Sequence, residues 1–380
     1  MASPAAADEA FAADLYRELA TSPGGLVFSP ASVAAALRLA LLGARGDTAA
    51  ELAAALHLDR PEAAAEGLRQ LGDLPAGRET AGGETAELVF RAPNTAWVQA
   101  GLPLEPQYVS AVGELASAAV READFAAASE QARLDINALI EKETAGKIRD
   151  LLARGSIGTL TRLVLTNAVY LKAAWVHQFP AGATGDAPFH PAPATTVTVP
   201  TMRLTARLGY LQGDGYQAVT LPYRGGGLAM AVILPDGPPG AYGPVAGRLA
   251  GAGVSGLLAG SAQRQVRLAL PRFRLAAKFD LVPVLRELGV RLAFGSGADF
   301  SGITRAERLA VDAAVHQAYI DVDEKGTEAA AATGVAMVAL AMTRDQPVEV
   351  TVDRPFLFAI TDTATGLPLF LGRVTDPSAR

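Results

Sequence analysis

Apolar residues recur at helical spacing early in the chain and alternate with polar ones later, so helices and strands mix without a βαβ rhythm. Ser29-Pro30 supplies an N-cap and a first-turn proline, and Gly43 can end that helix in the left-handed region. Thr48-Ala49-Ala50-Glu51 reads as a capping box, with hydroxyl and carboxylate each taking a free backbone N–H. An amphipathic run from Ser129 to Thr144 turns Leu134, Ile136, Leu139 and Ile140 inward, with Gly146 beyond its end. Period-two segments predict strands over Leu163–Leu171, Gln265–Leu275 and Ala314–Asp323, and Leu228–Leu234 before the breaker cluster Gly237-Pro238-Pro239-Gly240. Pro355–Asp362 and Pro368–Thr375 flank Thr363-Ala364-Thr365-Gly366 and predict a hairpin. No repeat recurs and no linker collects the prolines and glycines, so the expectation is one α+β domain over residues 1–380.

Composition narrows the function classes. Half of the residues are apolar and only 19% are charged, which excludes a disordered chain, a coiled coil and a collagen-like rod. A net charge of −6 gives no duplex-sized positive field, so nucleic acid is not expected as a partner. With no cysteine there is no disulfide framework, thiolate metal site or cysteine nucleophile. The N-terminus carries Asp8 and Glu9 and lacks the basic start and apolar block of a secretory leader, which by sequence favours an intracellular protein. The greasiest stretch, Leu26 to Ala44, is broken by Ser29-Pro30, Ser32 and Arg38; it predicts a buried core helix and no membrane partner.

Enzymatic motifs are missing. The four histidines, His57, His177, His190 and His316, do not pair at a zinc-protease spacing, and neither a Gly-x-Ser-x-Gly elbow nor a phosphate-binding loop occurs. Asp321-Val322-Asp323-Glu324-Lys325-Gly326 begins like a calcium loop, then puts Lys325 at the third ligand position and Ala332 where a bidentate Glu belongs. The reading is therefore not an enzyme, with no cofactor and no metal. His316 shares a strand face with Ala318, Ile320 and Val322, which suits a hydrogen-bonded core histidine.

One segment fits no ordinary core element. Ala329 to Met342 contains no charge and no proline, and it allows two readings. One is a buried alanine-rich helix, against which Gly326 and Gly334 cost about 1 kcal/mol each relative to Ala. The other is a strand whose Thr327, Ala329, Ala331, Thr333, Val335, Met337 and Ala339 share one face, all small or apolar, with Glu328 on the other. Such a segment can enter a sheet without burying a charge, whereas left exposed it is an edge-strand hazard, which suggests a managed conformational change.

These residues carry a resemblance. Glu324-Lys325-Gly326-Thr327-Glu328-Ala329-Ala330-Ala331-Ala332 resembles the proximal hinge of the serpins, the serine-protease inhibitors that trap their target by loop insertion. Val27-Phe28-Ser29-Pro30-Ala31-Ser32 resembles the family's N-terminal segment, and Asn167 to Phe179, with Lys172 and Trp175, resembles its Asn…Lys-x-x-Trp…Phe strand. Asp299-Phe300-Ser301-Gly302-Ile303, Pro355-Phe356-Leu357-Phe358 and Leu369-Phe370-Leu371-Gly372-Arg373-Val374 with Pro377 also match, in family order across residues 28 to 377. The likeness is to a prokaryotic-type inhibitory serpin.

The resemblance implies three β-sheets, eight or nine helices and an exposed reactive-centre loop, with loop and hinge about residues 324–346. It implies a suicide substrate, in which the cleaved loop inserts into the central sheet and carries the acyl-linked protease with it. Ser29, Ser32, Asn167 and His316 match the shutter beneath the opening sheet, and Trp175 matches the breach where insertion begins. Thr327 points inward, where its hydroxyl needs a backbone partner. Counting sixteen residues from Glu324 puts the scissile bond at Leu340–Ala341, suited to chymotrypsin-, subtilisin- or cathepsin G-like pockets. Counting back from Pro355 lands nearer Arg344–Asp345, which suits a trypsin-like enzyme, while Ala339 or Met342 suits an elastase-like one. The expected partner is a serine protease in covalent complex with a monomer. A non-inhibitory chaperone, carrier or storage role is the alternative. Arg69, Arg78 and Arg91 are dispersed among acids, so no heparin site is expected between residues 60 and 130. The family likeness allows an extracellular protein if a leader has been removed.

Overall fold

The computed structural model describes residues 4–21, 24–74, 88–115, 118–327 and 346–379. Among them, eight α-helices run Pro4–Leu19 (α1), Pro30–Gly43 (α2), Gly46–Ala55 (α3), Ala64–Gly72 (α4), Pro106–Gly113 (α5), Phe125–Glu143 (α6), Gly243–Leu258 (α7) and Leu281–Glu287 (α8). The strands are Leu26–Phe28 (β1), Leu88–Arg91 (β2), Asn94–Gln99 (β3), Ala118–Ala123 (β4), Leu163–Ala174 (β5), Gly185–Ala192 (β6), Thr195–Gln212 (β7), Tyr216–Pro222 (β8) and Leu228–Pro235 (β9). They continue with Ala262–Pro271 (β10), Phe273–Asp280 (β11), Val311–Val322 (β12), Gly326–Thr327 (β13), Val348–Thr351 (β14), Phe356–Asp362 (β15) and Pro368–Val374 (β16).

The strands form two hydrogen-bonded networks. One has the order β1-β16-β15-β9-β8-β7-β10-β14, with β6 also on β7; the other has the order β11-β12-β13-β5-β3-β4, with β2 also on β5. The three sheets implied by the resemblance appear as two networks because β7 is long enough to serve two: its start pairs with β6, its end with β8, and β10 spans between. The apolar faces of the two networks meet in a core that includes Phe273, Phe356, Phe358, Ile320 and Trp175. Helix α2 is buried almost all round, as its largely apolar sequence requires, with its one charge, Arg38, paired to the buried Asp8 at 2.6 Å, and Ser29 caps it by accepting the N–H of Ser32 at 3.2 Å. The segment entering it, Leu26–Phe28, is a strand and not part of the expected core helix. Helix α6 covers the outer face of the second network, with Ile136 and Ile140 against Trp97, Val164 and Val315.

Three local expectations change. Thr48 and Glu51 form no capping box, because α3 starts at Gly46 and both groups serve a distant loop: Thr48 Oγ1 accepts from Asp299 N–H at 3.0 Å, and Glu51 Oε2 accepts from the N–H groups of Arg291 and Leu292 at 2.7 Å each. The run Gln265–Leu275 is two strands, which part at Pro271-Arg272 and enter different networks. Leu134 is exposed, since α6 turns only Ile136 and Ile140 of the four named residues fully inward.

Candidate functional site: the hinge and the fork of the central sheet

Strands β5 and β12 lie side by side and parallel, paired from Leu163/Val311 to Val169/Ala318. Beyond that row they part, and β13 stands between them, with Gly326 opposite Ala174 and Thr327 opposite both Ala173 and Val322. The central sheet is therefore a fork: closed over most of its length and opened at one end by two residues that run antiparallel to both neighbours.

The wedge is tightly fitted. Gly326 has φ +156°, and a Cβ built there would collide with the carbonyl oxygen of Ala173, so only glycine passes. Asp323 anchors the turn before it by accepting the N–H groups of Lys325 at 2.8 Å and Gly326 at 3.2 Å. Thr327 is fully buried, and its hydroxyl pairs with Tyr223 Oη at 2.6 Å instead of the expected backbone group. Burial pushes the Tyr223 phenol well above its ordinary pKa, so it stays neutral and able to donate.

Trp175 does lie at this opening. Its ring stacks on Tyr223 with centroids 4.4 Å apart, and its indole N–H donates to the Asp323 carbonyl at 3.0 Å. The Lys325 carbonyl accepts the Trp175 backbone N–H at 2.8 Å. Glu324 accepts from Arg272 Nε at 2.9 Å and Nη2 at 2.5 Å, and from Thr184 Oγ1 at 2.5 Å. Burial disfavours the Glu324 carboxylate, but those hydrogen bonds outweigh it and hold its pKa below the usual range.

In the closed part of the fork, just below the divergence, Ser29, Ser32, Asn167 and His316, the residues expected at the shutter, come together. His316 of β12 and Asn167 of β5 stand opposite one another, two rows from the point of divergence. Ser29 N–H donates to His316 Nε2 at 3.0 Å, so the ring proton sits on Nδ1 and is donated to Asn167 Oδ1. Asn167 Nδ2 then donates to the Ser32 carbonyl and hydroxyl, each at 2.5 Å, and to Asn94 Oδ1, which also accepts from Ser32 Oγ at 2.9 Å. Full burial pushes the His316 pKa down to about 3, only partly opposed by the Asn167 bond, so the imidazole is neutral. A neutral histidine bonded on both sides is a structural crosslink between β12, β5 and the start of α2.

Asn94, Tyr223, Arg272 and Thr184 belong to this site and were not singled out by sequence reasoning. Asn94 opens the strand whose middle is the apolar run Ala96-Trp97-Val98, a buried-polar signal that could have found it. Tyr223, Arg272 and Thr184 lie at strand ends or turns, where nothing periodic marks them. Glu328 to Ala332, Leu340, Ala341, Arg344 and Asp345 lie outside the described residues.

Comparison with known proteins agrees with this arrangement. The model of the serpin (serine protease inhibitor) family matches residues 6–377. An uncharacterized serpin-like protein of Thermococcus kodakarensis is 39% identical over 97% of this chain and 84% of its own length. The leukocyte elastase inhibitor of Bos taurus is 36% identical over 98% of this chain and 99% of its own. Among solved structures, Serpin48 of the insect Tenebrio molitor superposes with a TM-score of 0.82 at 30% identity, covering 97% of both chains. The chain belongs to the serpin family, and its α+β architecture is the serpin fold.

Proposed function

We propose that this protein inhibits serine proteases as a suicide substrate and that residues 328–345 carry the bait. The observation that supports this best is the fork, where Gly326 and Thr327 already pair between β5 and β12 in the register an inserting strand would extend. Continuing the pairing of Thr327 with Ala173 would bring Met337 opposite Leu163, where β5 begins. Leu340 then stands three residues past the sheet, at the end opposite the hinge. The protease serine attacks the Leu340 carbonyl, the bond to the Ala341 nitrogen breaks, and the peptide beginning at Ala341 leaves as the amine. The acyl-linked enzyme is carried across the molecule as residues 328–337 enter the sheet. Reaching Arg344 would leave four further residues beyond the strand, so Leu340–Ala341 is the preferred bond and Arg344–Asp345 the alternative. The relative named an elastase inhibitor favours a target with an apolar or small pocket.

Incubation with chymotrypsin, subtilisin, neutrophil elastase and trypsin in turn tests this. A complex surviving denaturing electrophoresis is expected with one of the first three, with a released peptide whose mass begins at Ala341. A peptide beginning at Asp345 moves the bond to Arg344. Clean cleavage with full protease activity and no complex across the panel overturns trapping in favour of a non-inhibitory role.

A further inference from the structure

Strands β7 and β10 carry four arginines and no acid, in a chain whose net charge is −6. The register puts three of the arginines on one solvent face. Arg207 lies opposite Gln265, Thr205 opposite Arg267, and Arg203 opposite Ala269, so Arg267 has Arg207 and Arg203 as its two diagonal neighbours. All three are exposed, while the alternating Leu204, Leu208, Val266 and Leu268 are buried on the other face. The nearby acid is Glu349 of β14, which pairs with Arg267 at 2.6 Å, both side chains being mostly exposed. Beside this face runs a groove of about 400 Å³, bordered by Arg203, Arg267, Thr205, Glu349 and the turn at Pro180 and Ala183.

The position of this face gives it meaning. Strand β14 is the edge of its network and begins at Val348, three residues after residue 345. At the other side of the loop, Glu324 is held by Arg272, one residue past the end of β10. Both stalks of the 328–345 segment thus join this sheet or its end. We infer that the face formed by Arg203, Arg207 and Arg267 is a docking surface for an acidic patch on the protease held by the loop; this rests on the inhibitory function proposed above. Because the face adjoins both stalks of the loop, a protein held by that loop would meet the three arginines, with Glu349 as the one opposing charge at the edge. Its effect falls on the rate of encounter and not on loop insertion.

The test uses the full-length inhibitor with an anionic and a cationic chymotrypsin-like protease of matched pocket, each followed by second-order inactivation rate and by inhibitor consumed per protease. Reversing the three arginines together (Arg203→Glu, Arg207→Glu, Arg267→Glu) is expected to slow inactivation of the anionic protease by about 10-fold at low ionic strength, with a smaller effect as salt rises. Glu349→Gln is expected to raise that rate about 2-fold, with stoichiometry unchanged in all variants. A charge-matched variant reversed at Arg60, Arg154 and Arg291 controls for net charge, and thermal midpoints control for folding. Trapping by the wild type with equal rates for wild type and triple variant overturns the docking surface alone, as does a rate loss equal to that of the control variant. A loss of retention on a sulfated polysaccharide with unchanged protease rates overturns it in favour of a polyanion site. Failure of the wild type to form a complex with any protease overturns the inhibitory reading and this surface with it.

Discussion

Thr327 and His316 carry most of the chemistry at the scale of single residues. Thr327 is buried with one hydroxyl partner, so an arginine there must either place its charge among Trp175, Tyr223 and Ala173 or stay out of the sheet. If the chain traps proteases as proposed, Thr327→Arg is therefore expected to make it a substrate, cleaved without forming a stable complex, as the ratio of cleaved to complexed protein on a denaturing gel would report. Undiminished trapping would remove insertion from the mechanism. Thr327→Val is milder, leaving the Tyr223 hydroxyl buried without that partner at a cost of about 1–3 kcal/mol. His316 makes a pH prediction. Its folded pKa of about 3 lies below the ordinary 6.5, so between those values the unfolded chain binds a proton that the folded one does not. This contribution is present above pH 6.5 and is lost as pH falls toward 3, amounting to about 2–3 kcal/mol between pH 7 and 4.5. His316→Gln removes it, so the urea midpoint of the variant should fall less over that interval than the wild type's. Parallel slopes would show that the imidazole does not stay neutral.

At the scale of elements, the shutter ties β12, β5, β3 and the start of α2 through side chains that satisfy one another. Asn94→Ala removes an acceptor shared by Ser32 and Asn167, both buried, and is expected to cost about 1–3 kcal/mol. The consequence specific to a fork is that β5 and β12 should separate more easily. Warming should then abolish inhibition sooner in Asn94→Ala than in a surface substitution of equal thermal midpoint, and equal inactivation half-lives would reduce Asn94 to ordinary packing. How far such elements could be read from the chain depended on whether their partners were local. Helix α2 and its N-cap were legible because Ser29 and Pro30 act within one turn, but its end was not: Gly43 is the last helical residue and takes no left-handed conformation, and the extended Ala44 closes the helix. Thr48 and Glu51 were misread because their backbone donors come from residues 291–299, far along the chain. The four shutter residues came from family likeness, since one sequence does not reveal that His316 and Asn167 face each other across two parallel strands. The arginine face stayed hidden for the same reason: Arg203, Arg207 and Arg267 become neighbours only through the register of β7 against β10.

For the whole molecule, the fork means that β5 and β12 are not joined by a full strand among the described residues. Beyond Ala318 and Val169, the described residues that bridge β12 and β5 are Gly326 and Thr327, while below that row the two strands pair directly with each other. A strand entering from the hinge would exchange that single ladder for two, and its inward positions, Ala329, Ala331, Thr333, Val335 and Met337, would replace one buried surface with another containing no charge. Intact, the chain from Thr327 to Val348 has both ends held in the fold, and inserting ten of its residues would pull residue 337 to the far end of β5. Cutting at the proposed bond, Leu340–Ala341, would free one end and remove that restraint. Once inserted, the strand lies in the middle of the sheet, so global unfolding must break both ladders together. Limited proteolysis within the loop should accordingly raise the thermal midpoint by on the order of ten degrees or more, although the covalent chain has been broken. Calorimetry before and after cleavage decides it. A midpoint that stays or falls would mean that the fork admits Gly326 and Thr327 and nothing further.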